Sequence, residues 1–229
     1  MGNMKRLIII LLASVTVIAY GQKSENRSVD SFKGVKALQG IDVYLKKGSK
    51  EAVRVEVSGV DLSDVVTEVS GDYLKIQMRQ GNYRNEHSVK VYVTYTELTK
   101  ISASSAGAIF AENVIKADVL SISASSAGTV DIQVDAGSID VSTSSAAEVE
   151  LKGKATSITI NAASAAEVDA YELVADNVDV SAVSAGSAKV NAVKSIKARA
   201  VSGGSIRYRG NPEQSNTTSS SGGSVKKSN

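Results

Sequence analysis

The chain has 229 residues, 26 Lys and Arg against 24 Asp and Glu, one His and no Cys. The missing cysteine excludes a disulfide framework and any thiol-ligated metal. With no Trp, two Phe and one Pro, a core must be built from Ala, Val, Ile and Leu, and the length predicts a single domain.

The first 21 residues have the three parts of an export signal. Lys5 and Arg6 precede an apolar run from Leu7 to Ile18, and Ala19-Tyr20-Gly21 offers a small-x-small cleavage site before Gln22. The apolar run is short for a membrane span. A mature chain starting at Gln22 is expected, exported to the periplasm, the outer membrane surface or the outside of the cell. Gln22 is not Cys, so lipoprotein-type acylation is not expected.

Residues 22–29 read as a short leader, and residues 30–100 as an N-terminal β cap with the first coils of a rod. Ile41 to Leu45, Ala52 to Val57, Tyr73 to Met78 and Val89 to Tyr95 all alternate apolar and polar residues, with turn signals at Gly48, Gly71 and Gly81. Leu62 to Glu68 reads equally as strand or short helix. Five tyrosines (Tyr44, Tyr73, Tyr83, Tyr92, Tyr95) make this part bulkier than the later coils.

From residue 101 to 229 the chain repeats itself. ISASSAG at 101 recurs as ISASSAG at 122, VSTSSAA at 141, INAASAA at 160, VSAVSAG at 180 and ARAVSGG at 198. Aligning one serine gives a ladder of Ser105, Ser126, Ser145, Ser164, Ser184, Ser202 and Ser221, with steps of 21, 19, 19, 20, 18 and 19 residues, close to the periods of solenoids. Positions two, four and six before the serine are apolar or small, and so is the position four after it (Ile109, Val130, Val149, Val168, Ala188, Ile206, Val225). Period two means strand. Two short strands joined by a tight Ser-Ala-Gly corner and a looser return bury nothing alone, but stacked coils do. The predicted fold is all-β, a parallel β-helix with coils of about 19–20 residues. The Ser/Gly-rich end keeps the ladder register through Ser221-Gly-Gly and Val225, which predicts a polar final coil capping the rod.

The N-terminal run Phe32 to Gly48 (FKGVKALQGIDVYLKKG), the run Val89 to Gly107 (VKVYVTYTELTKISASSAG) and the serine and glycine corners together resemble the "putative auto-transporter adhesin, head GIN domain" family of exported bacterial proteins. The resemblance spans roughly residues 30 to 210. It implies a right-handed parallel β-helix, an origin of the Bacteroidetes type and adhesin-like function. No catalytic or ligand residues come with it.

The ladder serines could be read as nucleophiles, but a catalytic serine needs a base within reach. The only histidine, His87, lies in a polar loop. A structural ladder, with hydroxyls bonding from coil to coil, is the expectation. Outward positions carry more information. Five residues after the ladder serine stand Asp131, Glu150 and Asp169, flanked by Glu148 and Glu167; the same slot then reads Lys189, Arg207 and Lys226. Residues 101–185 hold 3 Lys and Arg against 12 Asp and Glu, and residues 186–229 hold 8 against 1, so the near-neutral total conceals a rod of two signs. This charge pattern raises two expectations: calcium held by Asp131, Glu150 and Asp169, with salt bridges to Lys152 and Lys154 as the alternative, and self-association between opposite-charge ends.

Three function classes compete. A noncatalytic exported adhesin-like or envelope protein, partnered by a glycan or envelope component, fits the loop-free coils. A polysaccharide-binding or polysaccharide-degrading β-helix would need long loops with clustered carboxylates. An anionic glycan or lipid headgroup binder would use the basic end (Lys194, Lys197, Arg199, Arg207, Arg209). Nucleic acid is not expected, because export and the lack of a stacking series beside those cations argue against it.

Overall fold

An alternating sequence places every second side chain on one face of a strand, and a face of Val, Ile, Leu and Ala has to be covered. The computed structural model describes residues 23–83 and 86–228; the export signal expected at 1–21 lies outside them. The strands in chain order are β1 (Lys23–Arg27), β2 (Gly34–Leu38), β3 (Asp42–Lys47), β4 (Ala52–Ser58), β5 (Val65–Ser70), β6 (Tyr73–Met78), β7 (Ser88–Tyr95), β8 (Lys100–Ser104), β9 (Ala108–Ala111), β10 (Ile115–Ser125), β11 (Thr129–Thr143), β12 (Glu148–Ala163), β13 (Glu167–Val183), β14 (Ser187–Val201), β15 (Ser205–Arg209), β16 (Gln214–Ser220) and β17 (Ser224–Lys227).

From β8 onward the chain forms the parallel β-solenoid that the repeat predicts, each strand pairing with the one a coil later. The apolar slot four residues after the ladder serine becomes one buried row, with Ile109, Val130, Val149, Val168, Ala188 and Ile206 in register. All six are at most 1% exposed. Burying such side chains is worth roughly 1.5–3 kcal/mol each for the larger ones, and only stacking achieves it. Apart from Tyr95, Thr143 is the one buried side chain with a polar group among the described residues, and its hydroxyl donates to the Asn161 carbonyl at 3.4 Å.

Each corner is a turn in which both central residues have positive φ: Ser105 and Ala106 at 52° and 61°, Ser126 and Ala127 at 51° and 59°, and so on to Ser202-Gly203 and Ser221-Gly222. The Gly107 amide closes the first of these on the Ser104 carbonyl at 3.0 Å, the arrangement of a type I′ turn. The next residue is squeezed, since a Cβ on Gly107 would lie 2.6 Å from the Ala37 carbonyl oxygen. The coils at 147 and 166 accept a buried Ala there.

The return differs from expectation. Instead of two short strands and a loop, β11 to β14 run unbroken for 15 to 17 residues through the second bend. Register shifts after Glu150, Ala170 and Ala175 absorb the unequal coil lengths.

The N-terminal third is ordered differently from the chain. β2 lies between β6 and β8, and β3 between β7 and β9, so the first coil made is clasped by two made later. The outer end is closed by antiparallel strands: β4 on β7, β1 on β4, and β5 on β6. The expected leader thus supplies a strand, β1. The ambiguous Leu62 stretch divides into a 3-10 turn at Leu62–Asp64 followed by β5. Arg27 ties the two sides of this cap together, donating to the Leu62 and Val65 carbonyls at 2.7 and 2.6 Å. At the other end β16 sets Ser215, Thr217 and Ser219 against Ile196, Ala198 and Ala200. Those three stay buried while β16 is exposed throughout.

Tyr95 is buried in the cap at 1% exposure, and its hydroxyl has no hydrogen-bond partner among the described residues. An unpaired buried hydroxyl costs about 1–3 kcal/mol. Tyr95→Phe is therefore expected to raise the thermal midpoint; a lower midpoint would mean that the hydroxyl is satisfied.

Candidate interaction face

Outward side chains on successive coils fall into rows about 4.8 Å apart. On the face formed by β4, β7, β3, β9, the first halves of β11 to β14, β15 and β17, one row runs unbroken along the axis. It reads Arg54, Tyr92, Tyr44, Phe110, Asp131, Glu150, Asp169, Lys189, Arg207 and Lys226. Three blocks succeed one another: aromatic, acidic, basic.

The aromatic block escaped the sequence reading. Tyr92, Tyr44 and Phe110 stack with ring centroids 5.3 Å apart, and the Arg54 guanidinium lies 4.7 Å over the Tyr92 ring. Such pairs add about 0.5–1.5 kcal/mol beyond their buried area. A signal was present, since Tyr44, Tyr92 and Phe110 each follow a Val or Ile in the same outward slot. Their adjacency depends on the inserted position of β3.

The acidic block holds Asp131, Glu150 and Asp169 in adjacent register, as predicted. Beside them lies a second row of Glu148 and Glu167. Lysines bridge the carboxylates. Lys152 Nζ is 2.8 Å from Glu150 and 3.8 Å from Asp131, and Lys189 Nζ is 2.9 Å from both Glu167 and Asp169. Lys154 pairs with Asp135, not with the stripe. Hydrogen bonds to Asp169 and then Glu167 raise the Lys189 pKa above the ordinary lysine value; the hydrogen bond to Glu150 and then the nearby charge of Asp131 raise that of Lys152. Their contribution is present at neutral pH and is lost as pH rises past the ordinary lysine range. Among the described residues, no group of three or more acidic or His side chains is arranged to hold a metal ion.

The change of sign falls between β13 and β14 and is bridged there. Besides Lys189, Lys194 meets Asp176 at 2.7 Å and Lys197 meets Asp179 at 3.1 Å. Beyond that seam Glu213 is the one acidic residue in the sequence. Arg207 and Lys226 are register neighbours, exposed, and without an ion pair among the described residues. Like charges directly opposed are destabilising. Ser187, Ser205 and Ser224 line up next to them. Arg209 lies 4.2 Å over the Tyr171 ring, and the Tyr171 hydroxyl is 2.9 Å from Ser228 Oγ.

The ladder serines sit elsewhere, at the corners, and are exposed. What passes between coils there is a backbone bond. The amides of Ala106, Ala127, Ala146, Ala165, Ala185 and Gly203 donate to the carbonyls of Ser126, Ser145, Ser164, Ser184, Ser202 and Ser221 at 3.0–3.2 Å. One hydroxyl-to-hydroxyl bond between coils appears one residue earlier, where Ser125 Oγ donates to Ser104 Oγ at 3.0 Å. His87 packs near Tyr83, ring centroids 5.9 Å apart, at the N-terminal end.

The fold recurs in solved structures from Bacteroides and Parabacteroides. A "putative adhesin" from Bacteroides fragilis NCTC 9343 has TM-score 0.80 and 22% identity, covering 91% of this chain and 97% of that one. A "putative adhesin" from Parabacteroides merdae ATCC 43184 has TM-score 0.71 and 20% identity over 91% and 96%. A "putative lipid binding protein" from Parabacteroides distasonis ATCC 8503 has TM-score 0.70 and 18% identity over 91% and 97%. Among curated proteins none matches this sequence. Residues 31–212 do match a family profile, and the chain accordingly belongs to the "putative auto-transporter adhesin, head GIN domain" family.

Proposed function

We propose that this chain is an exported, noncatalytic, adhesin-like protein of the cell envelope that binds an extracellular polymer or surface through the outward rows of its solenoid. The observation that carries this reading is the unbroken row from Arg54 to Lys226. It offers aromatic, acidic and basic groups at fixed spacing on a backbone hydrogen-bonded from coil to coil, which suits recognition of a repeating partner. Family membership supports the adhesin-like role, and the apolar Leu7 to Ile18 segment supports export. Catalysis would need a base positioned on a nucleophile, and the corner serines are committed to turns. The test is an array of glycans and extracellular polymers probed with residues 22–229, with and without calcium. Saturable binding that weakens at least tenfold in Tyr44→Ala or Glu150→Lys is the expected result. Binding that survives both substitutions would place recognition off this face.

A further inference from the structure

The row Asp131, Glu150, Asp169, Lys189, Arg207, Lys226 has a symmetry in its charges. Three acids are followed by three bases, one per coil, on a single face. A two-fold axis through the β13/β14 seam, lying in the plane of the face, turns every acid onto a base. We propose that two copies of this chain associate face to face and antiparallel about that axis. Asp169 of one copy then meets Lys189 of the other, Glu150 meets Arg207, and Asp131 meets Lys226. The contact is isologous, so each pairing occurs twice and the assembly closes as a dimer rather than growing into a fibre.

Two further observations favour a second copy. The charges beside the row balance in the same way: Asp131, Glu148, Glu150, Glu167 and Asp169 with Lys152 on one half stand against Lys189, Arg207, Arg209 and Lys226 on the other. The uncompensated pair Arg207 and Lys226 is also explained. Each acid of the row has a lysine bridging it within the chain, whereas these two cations have no carboxylate partner among the described residues, and the second copy's acidic half supplies Glu150 and Asp131.

Six strands at 4.8 Å and rows a few residues wide give a patch of roughly 450 Å² per copy, about 900 Å² in total, below the 1,200–2,000 Å² of standard stable interfaces. The dimer is therefore weak, fast to form and sensitive to salt. The aromatic block from Tyr92 to Phe110 lies beyond the paired coils and stays open.

The experiment is sedimentation velocity on residues 22–229 at roughly 20 mM and 500 mM salt, where screening lengths differ several-fold. Two charge-reversed variants are run alone and mixed: Arg207→Glu with Lys226→Glu, and Asp131→Lys with Glu150→Lys. All substituted positions are outward, and circular dichroism checks that each variant folds. The expected result is a wild-type dimer in low salt that dissociates at least tenfold more readily in high salt. Each variant should be monomeric alone, and the mixture should pair. A wild type that is monomeric at both salts overturns the proposal, and so does a dimer that either variant leaves intact. A wild-type monomer that instead binds polygalacturonate would overturn it and assign the free cations to a polyanion.

Discussion

Replacing Leu151 with Ala is expected to destabilise the protein by about 2–5 kcal/mol, the range for emptying a well-packed aliphatic site. Leu151 is fully buried, paired in register with Ile132 on the preceding coil. In a solenoid each coil is covered only by its neighbours, so a cavity in a middle coil cannot be filled from elsewhere. The coils are too rigidly hydrogen-bonded to close on it. The check is chemical denaturation of Leu151→Ala beside the exposed control Thr159→Ala, which should change stability by less than about 0.5 kcal/mol. Equal and small losses in both would mean that the coils are not packed as described.

Gly153→Ala should cost a similar amount for a different reason. Gly153 has φ +112°, a conformation that L residues rarely adopt, and a Cβ there would run into the Val134 carbonyl oxygen of the coil below. Backbone strain of this kind costs about 1–3 kcal/mol, and the clash adds to it. The position lies beside the register shift that lets β13 carry one more residue than β12. Relief by movement would disturb pairing on both sides. A Gly153→Ala protein as stable as wild type would show that the bend is more accommodating than its geometry indicates.

Most of the rod was legible because its period is written in small apolar residues. Serine steps of 21, 19, 19, 20, 18 and 19 reappear as register offsets, as in Ser121 to Lys100, Val130 to Val149, Val168 to Ala188 and Ala188 to Ile206. The acidic and basic stripes were legible for the same reason, since a constant offset from the corner keeps Asp131, Glu150, Asp169, Lys189, Arg207 and Lys226 in one row. Three features were not. Five of the seven left-handed serine corners use Ser-Ala where Gly or Asn would have advertised positive φ. The strand β1, written Lys-Ser-Glu-Asn-Arg, has no apolar alternation because it is an exposed edge. The insertion of β2 and β3 between later strands is a matter of long-range pairing, and with it went the Tyr92, Tyr44 and Phe110 stack.

If the repeated serine corners form a structural ladder and leave the outward rows for recognition, amide hydrogen exchange will register it residue by residue. The corner amides of Ala127, Ala146, Ala165 and Ala185 each donate to the next coil at 3.0–3.2 Å. They should exchange as slowly as the neighbouring strands β11 to β14, while β16 and β17 exchange first. Corner amides that exchange as fast as an open loop would contradict the ladder and make the exposed serines candidate functional groups again.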